Sequence, residues 1–378
     1  MADGGKTCAG TRSIESIAPL TSTLAKYCEA HLPWYTIYPT VPDFSAAVGA
    51  EACKEWLSSL PASDPVSLYL HIPFCRSMCW YCGFPTSITR RDASILDYLT
   101  SLREEIRLVA AHAPQALSVS DVHFGGGTPT IIKPEDFLAL MDLLRRCFTF
   151  RKTATIAVEI EPRTFTAEMA EALGAAEVSR VSLGVQSFDP IVQNAINRVQ
   201  SEAQTTAAIE NLRRIGISRI NFDLMYGLPH QTVQSCVQSA TAAVAMRPDR
   251  LAVFGYAHVP SYRKNQRLID EKALPDIAAR AEQAMAVADT LIAGGLSPNR
   301  ARPFRLTGRR TRARSESRSS AAQFFGLLGR HLPNPDWLRR VGYRPSRRRL
   351  CPERTCTEFL HPAHSSWPPA DYQGLSSH

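Results

Sequence analysis

Three closely spaced cysteines are the residues of this chain best suited to carry chemistry. The stretch from Tyr69 to Gly83 reads YLHIPFCRSMCWYCG and places Cys75, Cys79 and Cys82 in a C-x3-C-x2-C spacing. Thiolates so close together suit a soft metal centre, because one loop can wrap one face of an iron–sulfur cluster. Three cysteines leave one iron of a cubane [4Fe–4S] cluster without a protein ligand. The spacing therefore favours a cluster whose open iron can bind a substrate or a cofactor.

Two other interpretations of these cysteines stay open at this point. Structural zinc usually takes four ligands in two close pairs, and no second C-x2-C or H-x3-H pair follows nearby. Cysteine is also commonly buried in protein cores, so the three residues could be structural. The remaining cysteines are scattered, and we interpret them as inert thiols; they stand at positions 8, 28, 53, 147, 236, 351 and 356.

The wider motif around the cysteines resembles a known family. The C-x3-C-x2-C loop is typical of radical S-adenosylmethionine (SAM) enzymes, and YLHIPFC followed by CWYCG resembles the oxygen-independent coproporphyrinogen III oxidase branch. The resemblance implies that Cys75, Cys79 and Cys82 ligate a [4Fe–4S] cluster whose open iron is chelated by the amino and carboxylate groups of SAM. Electron transfer would then cleave SAM to a 5′-deoxyadenosyl radical. Two SAM molecules are the expected cofactors besides the cluster.

The elements that must position this loop alternate between strands and helices. SLYLH at 67–71 predicts a buried strand directly before the cysteine loop, and a helix is expected at 93–111. Further strand–helix units follow to about residue 295 without an internal repeat. Catalytic loops of parallel barrels lie at the C-terminal ends of the strands, where the cysteine loop falls. We therefore predict an α/β fold, a partial (β/α) TIM-like radical SAM barrel with an N-terminal arm.

Further candidate site residues lie at the predicted strand ends. The segment GGGTPT at 125–130 follows the second strand, where glycines let the backbone approach a ligand, although a tight turn is the common alternative. Glu159 ends the next strand and can accept hydrogen bonds from ribose hydroxyls, or it is simply a solvated charge. We predict that Tyr69 and Tyr81 are catalytic. The resemblance implies SAM contacts from Tyr69, Tyr81, Gly126, Gly127, Thr128, Glu159, Gln186, Arg198, Asp223 and Ala257.

The resemblance also implies a reaction and its partners. The family decarboxylates the propionates on rings A and B of coproporphyrinogen III oxidatively to vinyl groups, giving protoporphyrinogen IX in haem biosynthesis. An unactivated C–H bond needs a primary carbon radical, which the cluster supplies by one-electron reduction of SAM. We expect coproporphyrinogen III as substrate, a low-potential electron donor as partner, and a monomeric chain.

Two positions depart from the family pattern. The segment PWYTIYPT at 33–40 resembles the P-R-Y-T-S-Y-P-T arm that precedes the barrel, but Trp34 stands where the family carries arginine. This change would weaken the anchoring of substrate carboxylates. Phe84 stands where the oxidases usually have a further cysteine, which is thought to serve the second SAM or proton handling. Phenylalanine is common there in haem chaperones, so a chaperone that keeps the cluster without decarboxylation is an alternative function.

Composition limits the setting of the protein. With 44% hydrophobic residues among 378, the chain is long and apolar enough for a large core. Ten cysteines without a signal peptide or a bilayer-length apolar run predict a cytoplasmic protein without a membrane partner. The net charge is +8, but residues 297–378 carry sixteen of the 43 Lys and Arg and five of the 35 Asp and Glu. Because the excess charge belongs to this tail, we expect no nucleic-acid partner.

The same tail breaks the barrel pattern. We divide the chain into an arm and helix at 1–60, the barrel at 61–295 and an Arg- and Pro-rich tail at 296–378, which composition predicts to be disordered. The family would supply a last barrel strand resembling GLDHFA, then NFQGYTT and GFGASAI. Back-translated from Leu296 with one base dropped, the tail can read YRQIGLDHFALPDDE, and the codons of Gln323 to Arg344 can read NFLGYSDDTCPTLIGFGASAIG. Our hypothesis is a frameshift near Leu296. A third possibility, besides an oxidase and a haem chaperone, is therefore an inactive truncated product.

Overall fold

The computed structural model describes residues 49–62, 64–115, 117–298, 303–306 and 328–329. The predicted arm at 33–40, with Trp34, lies outside these residues. Most of the tail that carries the frameshift hypothesis also lies outside them. The helix expected within 1–60 is represented by α1 (Ala50–Ser58).

Six parallel strands form the centre of one sheet and are paired in chain order. They are β1 (Val66–Ile72), β2 (Ser118–Gly126), β3 (Thr149–Ile160), β4 (Arg180–Gln186), β5 (Ile220–Tyr226) and β6 (Arg250–Gly255). Every strand pairs with the next one along the chain. Parallel neighbours need a crossover connection, which the helices provide. All C-terminal strand ends therefore meet at one edge, and the predicted α/β architecture is confirmed.

Helices fill the crossovers between these strands. They are α2 (Asp92–His112), α3 (Pro134–Cys147), α4 (Ala167–Ala175), α5 (Pro190–Ala195), α6 (Glu202–Arg214) and α7 (Val233–Ala245), and a further helix, α8 (Ile277–Ala293), follows β6. Ser201 begins α6 with a reciprocal capping box to Gln204. Short 3-10 turns cover Pro129–Ile131, Lys264–Leu268 and Glu271–Ala273. None of the helices in the described ranges is both long and apolar enough to cross a bilayer.

The core has two parts. The larger one lies between the sheet and its helices, and fully buried strand residues such as Leu70, Phe124 and Phe222 contribute to it. A smaller apolar cluster contains Val192, Ile196, Leu228, Tyr256 and Ile269, with Trp80 and Tyr81 packed against it. Each large apolar side chain contributes about 1.5–3 kcal/mol when buried. The smaller cluster therefore anchors the cysteine loop to the segments that follow β4, β5 and β6.

Both edges of the parallel sheet carry short antiparallel strands from the tail. They are β7 (Leu296–Pro298), which pairs with β8 (Pro303–Leu306), β8 itself beside β6, and β9 (Leu328–Gly329) beside β1. These segments differ from the expectation that the tail has no regular structure. An exposed strand edge offers unpaired N–H and C=O groups, and β8 and β9 pair with the edges that the barrel would otherwise expose.

Candidate cluster and cofactor site

The cysteine loop begins directly after β1. A short strand, Phe74–Cys75, pairs with Ser87–Ile88 and holds the two ends of the loop together. Cys79 is buried, while Cys75 and Cys82 are half-buried. Burial is the main cause that raises the pKa of the Cys75 thiol to about 11; a hydrogen bond to Thr128 opposes this rise, and the nearby Cys82 and Cys79 add to it. Burial is thus the main reason that the Cys75 thiol holds its proton in the cluster-free chain.

The arrangement does not fit a single metal ion. Within the part of the chain that the structure describes, no group of three or more His, Cys, Asp or Glu residues could hold one ion. The zinc interpretation therefore finds no ligand set here. A cubane cluster is larger than one ion, so its ligands stand further apart. Thiolate is the ligand form of cysteine, so the thiol protons must leave when such a cluster binds.

The segment GGGTPT at 125–130, which we call the glycine strip, lies at the end of β2 directly against the cysteine loop. The Gly127 N–H donates to the Ile72 carbonyl at 2.8 Å, and Thr128 Oγ1 is 3.2 Å from Cys75 Sγ. A Cβ atom added to Gly127 would lie 2.6 Å from the Phe74 carbonyl oxygen and 3.0 Å from Cys75 Sγ. Gly126 has φ of 118°, which favours glycine. Glycine is thus required for this close approach of the two segments. This supports the prediction that the glycines at 125–127 let the backbone come close to a ligand.

Glu159 and Tyr69 lie together beside this strip. The Gly126 N–H donates to Glu159 Oε2 at 3.3 Å, and His123 Nε2 is 3.1 Å from Glu159 Oε1. The Tyr69 ring stacks on His123 with centroids 5.6 Å apart. A Cβ on Gly125 would lie 2.8 Å from the Tyr69 hydroxyl and 3.0 Å from Glu159 Oε1, so the two groups share one space. Sequence analysis missed His123, although strand alternation places it on the same face as Gly125.

Asp223 adds a second carboxylate to this region. It accepts hydrogen bonds from Asn221 Nδ2 at 2.8 Å and from Ser182 Oγ at 3.0 Å. Burial raises the pKa of Asp223 to about 6, and the charge of Glu159 acts in the same direction against those hydrogen bonds. Two carboxylates from neighbouring parts of the sheet are therefore available as hydrogen-bond acceptors.

Arg198 is almost completely buried beside Cys79. Its Nη1 donates to Glu161 Oε2 at 2.5 Å and lies 3.5 Å from Cys79 Sγ. Arg163 Nη2 lies 3.6 Å from the same sulfur and its Nε donates to Glu161 at 2.8 Å. Burial alone would raise the pKa of Glu161, but the two guanidinium groups hold it below its ordinary value. The Cys79 sulfur thus faces two positive charges and one negative charge, and Arg163 was not recognised in the sequence.

The other predicted residues lie at the same edge of the sheet. Gln186 ends β4 with φ of 66°, and its side-chain amide and the Arg198 guanidinium would both crowd a Cβ on Gly184. Burial raises the pKa of the Tyr81 phenol well above its ordinary value. The Ala257 carbonyl accepts from Gln266 Nε2 at 3.2 Å, and the same nitrogen donates to the Tyr81 carbonyl at 2.9 Å. Gln266 therefore joins Ala257 to the cysteine loop, whereas Gln186 lies beside Gly184, near the buried Arg198.

Comparison with known proteins decides the family. The sequence model of the radical SAM superfamily matches residues 69–243, which include all three cysteines. An oxygen-independent coproporphyrinogen III oxidase from Bradyrhizobium diazoefficiens is 55% identical over 269 residues, 71% of this chain and 60% of that protein. The chain belongs to the radical SAM superfamily, in its oxygen-independent coproporphyrinogen III oxidase family. The family predicted from the cysteine motif is therefore confirmed, and membership implies a [4Fe–4S] cluster and SAM.

The fold comparison agrees with this family. The radical SAM coproporphyrinogen III oxidase of Escherichia coli, HemN, superposes with a TM-score of 0.70 at 34% identity, covering 76% of this chain and 64% of that one. A relative from Sinorhizobium fredii, named only as uncharacterized protein y4hJ, is 91% identical over 192 residues, 51% of this chain and 74% of that protein. The chain spans less than two thirds of the length of both the Bradyrhizobium oxidase and the E. coli enzyme.

Proposed function

We propose that this chain converts coproporphyrinogen III to protoporphyrinogen IX by oxidative decarboxylation of two propionates, as a radical SAM enzyme of haem biosynthesis. The observation that carries the proposal is the contact between Cys75 and the strip of Gly127 and Thr128 at the C-terminal end of the sheet. This contact brings the ligand loop and the proposed SAM-binding backbone into one site. The 55% identity to a protein of that name supports the substrate.

The proposed ligands of the cluster are Cys75, Cys79 and Cys82. Together with SAM, a bound [4Fe–4S] cluster supplies a primary carbon radical that can attack an unactivated C–H bond. Arg163 and Arg198 place two guanidinium groups within 3.6 Å of the Cys79 sulfur, on the side of the proposed cluster ligand that faces the sheet edge. The Tyr81 side chain is half-buried against the smaller apolar cluster, and we assign it to shielding the ligand side of the cysteine loop from water.

The proposed SAM-binding residues line the same edge of the sheet. Gly126 and Gly127 leave backbone room for the amino-acid end of SAM, beside Thr128. Glu159 and Asp223 would accept hydrogen bonds from its ribose hydroxyls, since each carboxylate is held in place by neighbouring donors. We assign further contacts to Tyr69, whose hydroxyl shares the space of Glu159, and to Gln186, Arg198 and Ala257. Two SAM molecules, as in the sequence prediction, complete the proposed cofactor set.

Anaerobic reconstitution of the full chain with iron and sulfide tests this function. We expect 5′-deoxyadenosine and protoporphyrinogen IX to form from SAM, coproporphyrinogen III and a low-potential reductant. A soluble cluster protein that binds haem and forms no product would replace the proposal by the chaperone alternative. Phe84 favours that alternative, because it is 61% exposed at the position where the oxidases have a cysteine. A chain that takes up no cluster would support the inactive truncated product.

The remaining sequence predictions also stand as proposals. We propose a monomeric cytoplasmic protein that takes electrons from a low-potential donor and binds neither nucleic acid nor membrane. We also propose the domain division at residues 60 and 295 and a frameshift near Leu296. Sequencing the gene across the codons for Gly294 to Arg302 tests the frameshift: a frame with no base missing relative to close relatives would overturn it.

A further inference from the structure

Two adjacent amide side chains, far from the cysteines in sequence, hold the backbone of the cysteine loop. Asn265 Nδ2 lies 2.9 Å from the Cys82 carbonyl oxygen, 3.0 Å from that of Trp80 and 3.4 Å from that of Cys79. Gln266 Nε2 donates to the remaining carbonyl, that of Tyr81, at 2.9 Å. Every carbonyl from position 79 to position 82 thus faces one of these two amides.

Both polar atoms of the Gln266 side chain are hydrogen-bonded to backbone. It is only 1% exposed, and its Nε2 also donates to the Ala257 carbonyl at 3.2 Å. Its Oε1 accepts from the Val259 N–H at 2.6 Å. Because an amide carries two donor protons and one acceptor oxygen, these three contacts satisfy it. Gln266 therefore joins the cysteine loop to the segment after β6 that carries Ala257.

A third amide holds the other side of the loop. Asn197 Nδ2 donates to the Met78 carbonyl at 2.7 Å, and the Trp80 N–H donates to the Ile196 carbonyl at 2.9 Å. Within the loop itself, the Cys82 N–H donates to the Cys79 carbonyl at 3.1 Å. The course of the loop is thus set by partners that follow β4 and β6 as well as by its own turn.

We propose that Asn265 and Gln266 are positioning residues that set the spacing of the Cys79 and Cys82 sulfurs before any cluster binds. A carbonyl direction fixes its peptide plane, and successive peptide planes fix the Cα–Cβ directions between them. Holding four consecutive carbonyls therefore restricts where both sulfurs can lie. The inference rests on the proposed function only in treating these cysteines as cluster ligands.

Thiol labelling of the full-length, iron-free chain tests this role independently of activity. Asn265→Asp keeps the size of the side chain but points a carboxylate at the three carbonyl oxygens. We expect iodoacetamide to label Cys79 and Cys82 about tenfold faster in this variant, because losing hydrogen bonds lowers the cost of local opening. Iron uptake per chain should fall in parallel. Labelling of Cys236, buried in α7, should keep its wild-type rate.

A matched control is available in α5. Asn194 Nδ2 donates to the Pro190 carbonyl of its own helix at 2.8 Å on the exposed surface, so Asn194→Asp makes the same chemical change in a side chain that does not hold the loop and should leave labelling unchanged. Asn265→Ala removes the donors without adding charge and provides the same test if the aspartate variant unfolds. Wild-type labelling rates at Cys79 and Cys82 in a folded variant would overturn the proposal. Equal acceleration at Cys236 in both Asn265 variants would also overturn it, because the effect would then not be confined to the cysteine loop.

The same experiment separates this inference from the proposed function. If the wild-type chain takes up no iron, the cluster assignment fails. The labelling rates of the iron-free chain still decide whether Asn265 positions the loop.

Discussion

Replacing Gly127 by alanine tests the contact between the glycine strip and the cysteine loop. The new Cβ would lie 2.6 Å from the Phe74 carbonyl oxygen and 3.0 Å from Cys75 Sγ. Ordinary van der Waals contact begins at 3.4 Å, so the Phe74 carbonyl oxygen must move away from the new Cβ by about 0.8 Å. Gly127 is not among the residues with positive φ, so the cost of the substitution is steric.

The size of this effect follows from the packing. Adding one carbon to a tightly packed site costs about 1–3 kcal/mol. We therefore expect the free energy of unfolding of Gly127→Ala to fall by that amount in urea titrations followed by circular dichroism. Because Cys75 is adjacent to Phe74 and must move with it, iron uptake and SAM affinity should fall as well. Iron per chain and equilibrium SAM binding measure these two losses.

Gly49→Ala is the matched control for this substitution. A Cβ at Gly49 would meet nothing within 4 Å, and Gly49 lies before α1, away from the site. Its iron uptake and SAM binding should equal those of the wild type. A Gly127→Ala variant with wild-type stability and wild-type SAM affinity would refute the close contact on which the proposed site depends.

Three further substitutions give separate tests. Burial raises the pKa of Glu105 to about 7 from 4.5, so the folded chain retains a proton that the unfolded chain loses between these values. The free energy of unfolding should therefore fall by up to about 3 kcal/mol as the pH rises through that window. In urea titrations, Glu105→Gln should be more stable than the wild type at pH 8 but not at pH 4.5. The exposed Glu104→Gln is the control and should match the wild type at both pH values. Burial raises the pKa of Asp223 to about 6, so the carboxylate that would accept from SAM becomes protonated between pH 7 and pH 5. SAM affinity should therefore weaken over this range in the wild type and less in Asp223→Asn. Equal pH dependence in the two proteins would contradict this. Cys75→Ser should abolish iron uptake, whereas Cys53→Ser, in α1, should retain it by iron analysis.

Local sequence patterns determined the elements of this fold. The alternation of SLYLH predicted the strand observed as β1 (Val66–Ile72). The helix expected at 93–111 is observed as α2 (Asp92–His112), and the side chain of Asp276 caps α8 by accepting from the Ala279 N–H. Helix and strand periods and capping residues act over a few neighbouring positions, which explains why they can be read from one sequence. The C-x3-C-x2-C spacing is local in the same way, and the family it indicated is confirmed.

The partners of the site residues could not be read from those patterns. Arg198 was expected among the SAM contacts, and the structure places it against Cys79, 119 residues earlier in the chain. His123 beside Glu159 and the amides of Asn265 and Gln266 on the cysteine loop carried no local signal of their pairing. Such contacts depend on which strand ends the crossovers bring to one edge of the sheet. The sequence by itself determined the elements and the ligand loop; tertiary packing decided which buried charges and amides surround that loop.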